Sequence, residues 1–320
     1  MADLTLEDIV SNAEKGVELD QKKAFLSAAA TSVKDAKLEY NGKFSFRGED
    51  VSKQLKNLRL PPENVAKVVP NRIFSLAVHP TTEKVLVAAG GKWGNVGLWD
   101  VNGTDLINNG VQLFKYHSRP VNCMTFNPYA PAELWSSSYD GTVRCFDLER
   151  QMTRVLYGDP EDEDAYVTYH SQLDASTFLI TMGTTGRVGV MDTRVPDTSK
   201  PSKVMQVFER TSPKTVSAHP QKRDLFVCPN NKGECKLFDM RAAKAKKVMD
   251  EVQSYKGHTK ALSSAMISPV TGASMVTVSY DNKVMIIFLP ASAKQKPVIQ
   301  RASIISSSCC CDTLAFKSIF

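Results

Sequence analysis

Histidine and aspartate recur at one fixed spacing in this sequence. His117 precedes Asp140 by 23 residues, and His258 precedes Asp281 by the same interval. A histidine beside a carboxylate can act as a general base, and histidine is also the commonest metal ligand. Catalysis would also require a nucleophile or a substrate cradle, but the sequence has neither a nucleophile elbow nor a glycine-rich phosphate loop. We therefore predict no enzyme activity, catalytic residue, cofactor or small-molecule substrate.

The cysteines and the apolar runs argue against two further classes of protein. Four of the seven cysteines stand singly in or beside strand-like segments, and the other three are adjacent near residue 310, so no metal-ligand spacing exists. The first residues lack the basic and apolar regions of a signal peptide, and no apolar run reaches the about 18 residues of a membrane helix. These features predict no metal site, a reducing compartment and no membrane partner.

The elements that must position the histidines are copies of one repeat, a tight turn followed by a short apolar strand. The copies are Gly94–Asp100, Tyr139–Asp147, Gly186–Asp192, Gly233–Asp239 and a degenerate Tyr280–Phe288. The closing aspartates are 47, 45 and 47 residues apart. A period in the forties that ends on Trp-Asp or Phe-Asp is typical of WD-repeat propeller blades. The sequence therefore predicts an all-β WD-repeat β-propeller with five legible blades.

Three segments follow from the extent of the repeat. The propeller blades are predicted over 67–288, after an N-terminal helical or irregular extension over 1–66 and before a non-repeat tail over 289–320. Apolar residues among acids predict helix over the first 36 residues, which either packs on the propeller or docks a partner. Asn41-Gly42 favours a small hairpin in the same extension.

Within a blade, the His–Asp spacing has a structural interpretation. It resembles the contact that, together with a strand serine or threonine, ties a WD blade together internally. Ser137 and Ser138 in the second blade, or Thr277 and Ser279 in the fifth, are candidates to complete this network. We therefore assign His117, Asp140, His258 and Asp281 to blade structure.

Basic residues recur at loop positions that open on one face of such a propeller. Four precede a first strand and four lie in or beside the turn between the second and third strands. They are Arg72, Arg119, Lys214 and Lys260 in the first group, and Lys92, Arg187, Lys232 and Lys283 in the second. Charge gathered there, rather than the net charge of +6, would attract an anionic polymer such as DNA. Polar loops alone would also explain the pattern, and the acidic run at 161–164 interrupts it.

The opposite face carries a second pattern. Met191-Asp192-Thr193-Arg194 and Phe238-Asp239-Met240-Arg241 both read as an apolar residue, Asp, any residue and Arg. WD-repeat substrate receptors of cullin-4 ubiquitin ligases resemble this, usually with Trp in the first position. Asp192, Arg194, Asp239 and Arg241 are therefore candidates for docking a ligase adaptor, although Asp-x-Arg also closes many ordinary blades.

Several segments resemble the family of WD repeat-containing protein 76 and its fungal relatives. The segment 65–73, with the sequence Val-Ala-Lys-Val-Val-Pro-Asn-Arg-Ile, is the most specific, and 75–80, 117–121 and 138–145 extend the match. The resemblance covers about residues 50 to 288, and the family is a relative of damage-specific DNA-binding protein 2. It implies a nuclear DNA-binding protein of the DNA-damage response, which docks on cullin-4 ligase through the damage-binding adaptor subunit.

The propeller of this family has seven blades, whereas this sequence contains five legible repeats, as expected for a chain truncated after the fifth repeat. Five blades of that geometry are expected to leave a gap, with Val284, Ile286 and Phe288 exposed on the flank of the fifth. The sequence thus favours a non-catalytic DNA-binding WD-repeat protein. The alternative is a protein–protein interaction scaffold whose basic face binds acidic partners.

Overall fold

The computed structural model describes residues 3–9, 17–34, 56–57, 59–81, 83–103, 107–158, 166–183, 186–209, 211–243, 247–289 and 298–303. The N-terminal part contributes strand β1 (Leu4–Thr5) and helices α1 (Leu6–Ile9) and α2 (Val17–Lys34). Short 3-10 helices lie at Pro62–Asn64, Ile107–Gly110 and Met240–Ala242. The remaining strands form five antiparallel sheets, one for each predicted repeat.

Each sheet is one blade, numbered here in chain order. Blade 1 consists of β2 (Ile73–Val78), β3 (Leu86–Gly91), β4 (Asn95–Asp100) and β5 (Val111–Lys115). Blade 2 consists of β6 (Val121–Asn127), β7 (Ala130–Ser138), β8 (Thr142–Asp147) and β9 (Met152–Gly158). Blade 3 consists of β10 (Val167–Gln172), β11 (Thr177–Met182), β12 (Arg187–Asp192) and β13 (Lys203–Gln206).

The last two blades follow the same order. Blade 4 consists of β14 (Ser217–Ala218), β15 (Leu225–Pro229), β16 (Glu234–Asp239) and β17 (Gln253–Lys256). Blade 5 consists of β18 (Leu262–Ile267), β19 (Ser274–Ser279), β20 (Lys283–Phe288) and β21 (Val298–Ser303). The predicted fold class, an all-β propeller with five blades, is confirmed.

Apolar residues on the faces of the sheets hold neighbouring blades together from blade 1 to blade 5. In β4, Val96 and Leu98 are fully buried in the cluster shared with blade 2, whereas Trp99 on the other face packs beside Val68 and Val69. Gly97 is required there, because a Cβ atom would lie 2.2 Å from the carbonyl oxygen of Val68. Side chains alternate between the two faces of a strand, so blades buried on both sides read as short, nearly continuous apolar runs.

The turns between second and third strands need a left-handed residue. Gly94, Gly141, Gly186 and Gly233 occupy this position with φ between 69° and 82°. Asn282 takes the equivalent place in blade 5 with φ 61°, which asparagine tolerates better than most residues. This substitution explains why the fifth repeat looks degenerate in sequence while its turn is kept.

The N-terminal extension is part of the propeller core rather than a separate layer. β1 pairs antiparallel with β9, so blade 2 has a fifth strand on its outer edge. Leu6 and Ile9 from α1, and Phe25 and Leu26 from α2, are buried in the cluster between blades 1 and 2. Residues 4–9 and 17–34 therefore pack on the propeller, which is one of the two roles predicted for this segment. The predicted Asn41-Gly42 hairpin lies outside the described residues.

The prediction of a non-repeat tail over 289–320 is wrong for residues 298–303. These residues form β21, which pairs antiparallel with β20 in a register from Lys283↔Ser303 to Phe288↔Val298. An outer strand carries no aromatic-Asp ending and has a partner on one side only, so its sequence signal is weak. Blade 5 consequently has four strands like the other blades.

Among the described helices, none combines the length and the apolar character needed to cross a bilayer.

Candidate nucleic-acid interface

The turn between the second and third strands lies beside the start of the first strand in four of the five blades. Backbone hydrogen bonds join Lys92 N–H to Arg72 O (3.0 Å), Tyr139 N–H to Pro120 O (3.1 Å), Gly183 N–H to Tyr166 O (2.9 Å) and Tyr280 N–H to Ala261 O (3.1 Å). We call the side of the propeller formed by these loops the upper face. The turns between the first and second and between the third and fourth strands lie at the other end of each sheet and form the lower face.

All eight predicted cations lie in upper-face loops or at the strand ends that border them. Six of the side chains are exposed, whereas Lys214 and Lys283 are half-buried. Each blade contributes at least one cation, because the same two loop positions recur in every repeat. The repeat therefore spreads positive charge over all five blades rather than concentrating it in one loop.

Most of this charge is not neutralised by neighbouring carboxylates. Within the part of the chain that the structure describes, seven of the eight cations make no ion pair with Asp or Glu; they are Lys92, Arg119, Arg187, Lys214, Lys232, Lys260 and Lys283. Arg187 donates through Nε to the amide oxygen of Gln206 at 3.0 Å, which leaves its charge intact. The acidic run at 161–164 lies outside the described residues.

Aromatic side chains share the upper face, and the sequence reasoning did not assign them to a site. Trp93 is 54% exposed and Tyr280 is 62% exposed, both in the turns between second and third strands. The Lys92 ammonium lies 5.0 Å from the centre of the Trp93 ring. Tyr139 packs against Tyr166, with ring centroids 5.2 Å apart. The signal in the sequence was a large aromatic residue in a glycine or asparagine turn, where small polar residues are usual.

Three tyrosines of the upper face, Tyr139, Tyr166 and Tyr280, come from the loops of blades 2, 3 and 5. Burial raises the pKa of the Tyr139 hydroxyl, and the hydroxyls of Tyr166 and Tyr280 raise it further. The upper face thus brings the rings of Tyr139 and Tyr166, from adjacent blades, into contact.

The two His–Asp pairs form hydrogen-bonded networks beneath this face. His117 Nδ1 lies 2.9 Å from the Asp140 carboxylate and Nε2 lies 2.8 Å from Ser136 Oγ. In blade 5, His258 lies 3.1 Å from Asp281 and 2.9 Å from Thr277 Oγ1. The partner of His117 is Ser136, not Ser137 or Ser138.

Both carboxylates also hold the loop that enters the first strand. Asp140 accepts a hydrogen bond from Ser118 N–H at 3.0 Å, and Asp281 accepts one from Thr259 N–H at 3.0 Å. Burial alone would raise the pKa of Asp140, but the hydrogen bonds and charge of its partners, His117 first, hold it well below its usual range. The networks therefore fix the loops that carry Arg119 and Lys260, and no group of three potential metal ligands occurs among the described residues.

A cavity of about 400 Å³ opens beside the first network. It is lined by Leu4, Lys115, Tyr116, His117, Ser118, Asp140, Thr142 and Arg144. The Nε and Nη1 atoms of Arg144 are buried there without a hydrogen-bond partner. Its charge is compensated at longer range by Asp140, which opposes the lowering of the Arg144 pKa by burial.

The Asp-x-Arg residues lie on the lower face, at the ends of β12 and β16. Arg194 forms a two-point hydrogen bond with Asp192, at 2.9 Å from Nε and 2.6 Å from Nη2. Arg241 pairs in the same way with Asp239, at 3.1 Å and 2.8 Å. Both guanidinium groups are largely exposed, and each lowers the pKa of its own aspartate.

Comparison with known proteins agrees with this architecture. A family profile described as WD domain, G-beta repeat matches residues 109–147. WD repeat-containing protein 76 of Xenopus laevis is 39% identical over 246 residues, which are 77% of this chain and 41% of that protein. The Mus musculus protein of the same name is 32% identical over 245 residues, or 77% of this chain and 38% of that protein. DNA damage-binding protein CMR1 of Phaeosphaeria nodorum is 29% identical over 239 residues, or 70% of this chain and 45% of that protein.

The five successive four-stranded blades, the recurring turns and the His–Asp networks define a WD-repeat β-propeller protein. Within that class, the chain belongs to the WD repeat-containing protein 76 family, whose fungal relatives include the CMR1 proteins. The chain spans less than half the length of these relatives.

Proposed function

We propose that this protein is a non-catalytic, nuclear DNA-binding protein of the DNA-damage response, and that the upper face is its DNA-binding surface. The observation that carries the proposal is the set of seven upper-face cations without a carboxylate partner in the described structure. Cations distributed over five blades suit the phosphate backbone, which supplies most of the affinity of sequence-independent binding. The printed name of the fungal relatives, DNA damage-binding protein, supports the same ligand.

Salt dependence of binding tests this surface directly. Each phosphate contact that is lost lowers the slope of log affinity against log salt by roughly 0.9 on duplex DNA. Changing Arg119, Lys214 and Lys260 together to Ala should therefore reduce the slope by nearly three units in a fluorescence-anisotropy titration. The matched control is Arg150→Ala with Lys200→Ala and Lys222→Ala, which removes the same kinds of charge from exposed lower-face loops.

The possible outcomes separate the two functional readings. A flattened slope in the upper-face variant alone supports DNA binding at this surface. An equal slope in both variants and the wild type places the DNA elsewhere on the protein. If the wild type binds no DNA at low salt, the DNA-binding proposal fails and the protein is instead a scaffold for acidic protein partners.

We also propose that the lower face docks the damage-binding adaptor subunit of a cullin-4 ubiquitin ligase. Two Arg–Asp pairs on adjacent blades support it, since a planar guanidinium in this setting offers a partner directed donors that lysine cannot copy. Both Nε and Nη2 of each arginine already bind the arginine's own aspartate, so an incoming carboxylate has to use the remaining donors.

Co-purification with the adaptor tests this second surface. Arg194→Ala combined with Arg241→Ala should reduce adaptor recovery and leave DNA affinity unchanged, because the two faces are separate. Arg150→Ala with Arg223→Ala is the control, since both residues are exposed lower-face arginines paired with aspartates. Equal recovery from the wild type and the Arg194/Arg241 variant would exclude the docking role.

A further inference from the structure

The upper face differs from the lower face in its exposed aromatic rings as well as in its charge. Among the described residues, three Trp and Tyr side chains are more than half exposed: Trp93, Tyr129 and Tyr280. Two of them lie in upper-face turns, and the third lies in the lower-face turn between β6 and β7. Tyr139 and Tyr166, whose rings contact each other, also lie in upper-face loops.

Exposed rings of this kind are available to bind a ligand. A large aromatic surface gains free energy when it is covered, and its face attracts cations and other π systems. Lys92 already lies over Trp93, and Arg72 lies 5.3 Å from the centre of the Phe74 ring. Lys92 is thus placed to contact a phosphate next to whatever stacks on Trp93.

Continuous duplex DNA does not provide a partner for these rings. Its bases are stacked on each other, and only their edges are accessible in the grooves. Unpaired or extruded bases do offer a free π-face, and proteins bind single strands by combining a positive surface with aromatic stacking platforms. The upper face contains both components within the same loops.

We propose that the upper face binds DNA through unstacked bases, with Trp93 and Tyr280 as stacking platforms and the surrounding cations as phosphate contacts. This inference deepens the proposed DNA binding and rests on it. The ligand is DNA with single-stranded or locally unpaired nucleotides, which the protein binds more tightly than continuous duplex of the same length. Stacking is tolerant of base identity because every base has a π-face, so sequence preference is weak.

An oligonucleotide without bases separates stacking from charge. We would titrate the full chain with a single-stranded oligo(dT) of about 12 nucleotides, a site size within the usual range for such proteins. The comparison ligands are an abasic strand with the same number of phosphates and a fully paired duplex of equal length. Wild-type protein should bind oligo(dT) roughly 5-fold to 150-fold more tightly than the abasic strand for each base stacked.

The variant Trp93→Leu with Tyr280→Leu should remove that difference and leave the salt slope unchanged. Both side chains are more than half exposed, so the variant should retain the wild-type melting temperature. Tyr129→Leu, which removes an exposed ring from the lower face, is the matched control and should bind all three ligands as the wild type does. The triple charge variant should lose salt slope on every ligand.

Each result has a defined meaning. If oligo(dT), abasic strand and duplex bind the wild type equally, or if the Trp93/Tyr280 variant keeps the preference for bases, the stacking proposal is overturned while DNA binding stands. If no ligand binds, both proposals fail, and an acidic protein becomes the better occupant of the face. Loss of base preference in the Tyr129 variant would also count against the assignment of the base-stacking site to the upper face.

Discussion

Histidine side chains at the two ends of the blades are held by different partners. At the lower end, His79 Nδ1 accepts the backbone N–H of Thr81 at 3.0 Å, and Nε2 lies 3.1 Å from the carbonyl oxygen of Pro131 in the next blade. This arrangement requires a neutral ring with its proton on Nε2. Burial lowers the pKa of His79 to about 4, against the smaller raising effect of the bond to Pro131.

The pKa of His79 predicts a loss of stability in mild acid. The folded-state pKa is below the usual value of about 6.5, so the unfolded chain takes up the proton first as the pH falls. The contribution of the neutral His79 ring to the unfolding free energy is therefore complete above pH about 6.5 and declines as the pH falls towards 4. Urea unfolding of His79→Gln should show a smaller decline in unfolding free energy over this range than the wild type does. Parallel pH profiles for the two proteins would contradict the assignment.

Some residue contacts were accessible from the sequence and others were not. The spacing of His117 and Asp140 suggested a pair, because His258 and Asp281 repeat it in blade 5, but the serine partner depended on strand orientation. Side chains alternate along β7, so Ser136 faces His117 while Ser137 faces the next blade and lies 3.1 Å from His170. The exposed rings at Trp93 and Tyr280 lay within recognised turns, and no periodic rule marks a ring as exposed.

At the scale of elements, α2 completes the core between blades 1 and 2. Phe25, Leu26 and Val33 are buried in the cluster that also contains Leu98 and Phe146. Polar residues on the other side of α2 face solvent, including Ser27 and Thr31. The helix therefore depends on tertiary packing of one face, as most helices in globular proteins do.

Truncation of one buried leucine measures this contribution. Leu26→Ala should lower the unfolding free energy by about 2–5 kcal/mol, the usual range for a fully buried leucine. Leu60→Ala is the matched control, because Leu60 is exposed and its loss should have little effect. Equal denaturant midpoints for the two variants would show that α2 is not part of the cooperative unit.

Sequence periodicity identified the elements with strong patterns and missed those defined by pairing. Strands buried on both faces gave clear apolar runs, and apolar residues among polar ones marked the N-terminal helices. The two residues of β1 cannot carry a period, and β21 is an outer strand whose backbone hydrogen bonds, rather than its composition, make it a strand. These elements depend on contacts with sequence-distant partners, which a local pattern does not contain.

For the whole molecule, the junction between blades 5 and 1 differs from the other four. Apolar clusters of described residues span blades 1 and 2, 2 and 3, 3 and 4, and 4 and 5. The cluster on the free face of blade 1 contains Val68, Val69 and Ala89, with no residue from blade 5. On blade 5, Ile286 and Phe288 are 36% and 41% exposed, whereas Val284 is buried, contrary to the expectation from sequence.

This exposed flank predicts weak self-association. Exposed apolar side chains on a sheet face favour contact with another chain, so the mean mass from light scattering should rise with protein concentration. Ile286→Lys with Phe288→Lys should reduce that rise, because it places charge on the contact surface. Val270→Lys, at an exposed loop position of the same blade, is the control. A concentration-independent monomer with one cooperative melt would contradict the prediction.

The pairing of β1 with β9 also has a consequence for synthesis of the chain. Leu4 leaves the ribosome 149 residues before Thr153, its partner on the outer edge of blade 2. At roughly 5–20 residues per second, the N-terminal segment waits for roughly 7 to 30 seconds before its docking site exists. During that interval the side chains of Leu6, Ile9, Phe25 and Leu26 lack the cover that blade 2 gives them in the folded protein, so nascent-chain chaperones can bind this apolar segment.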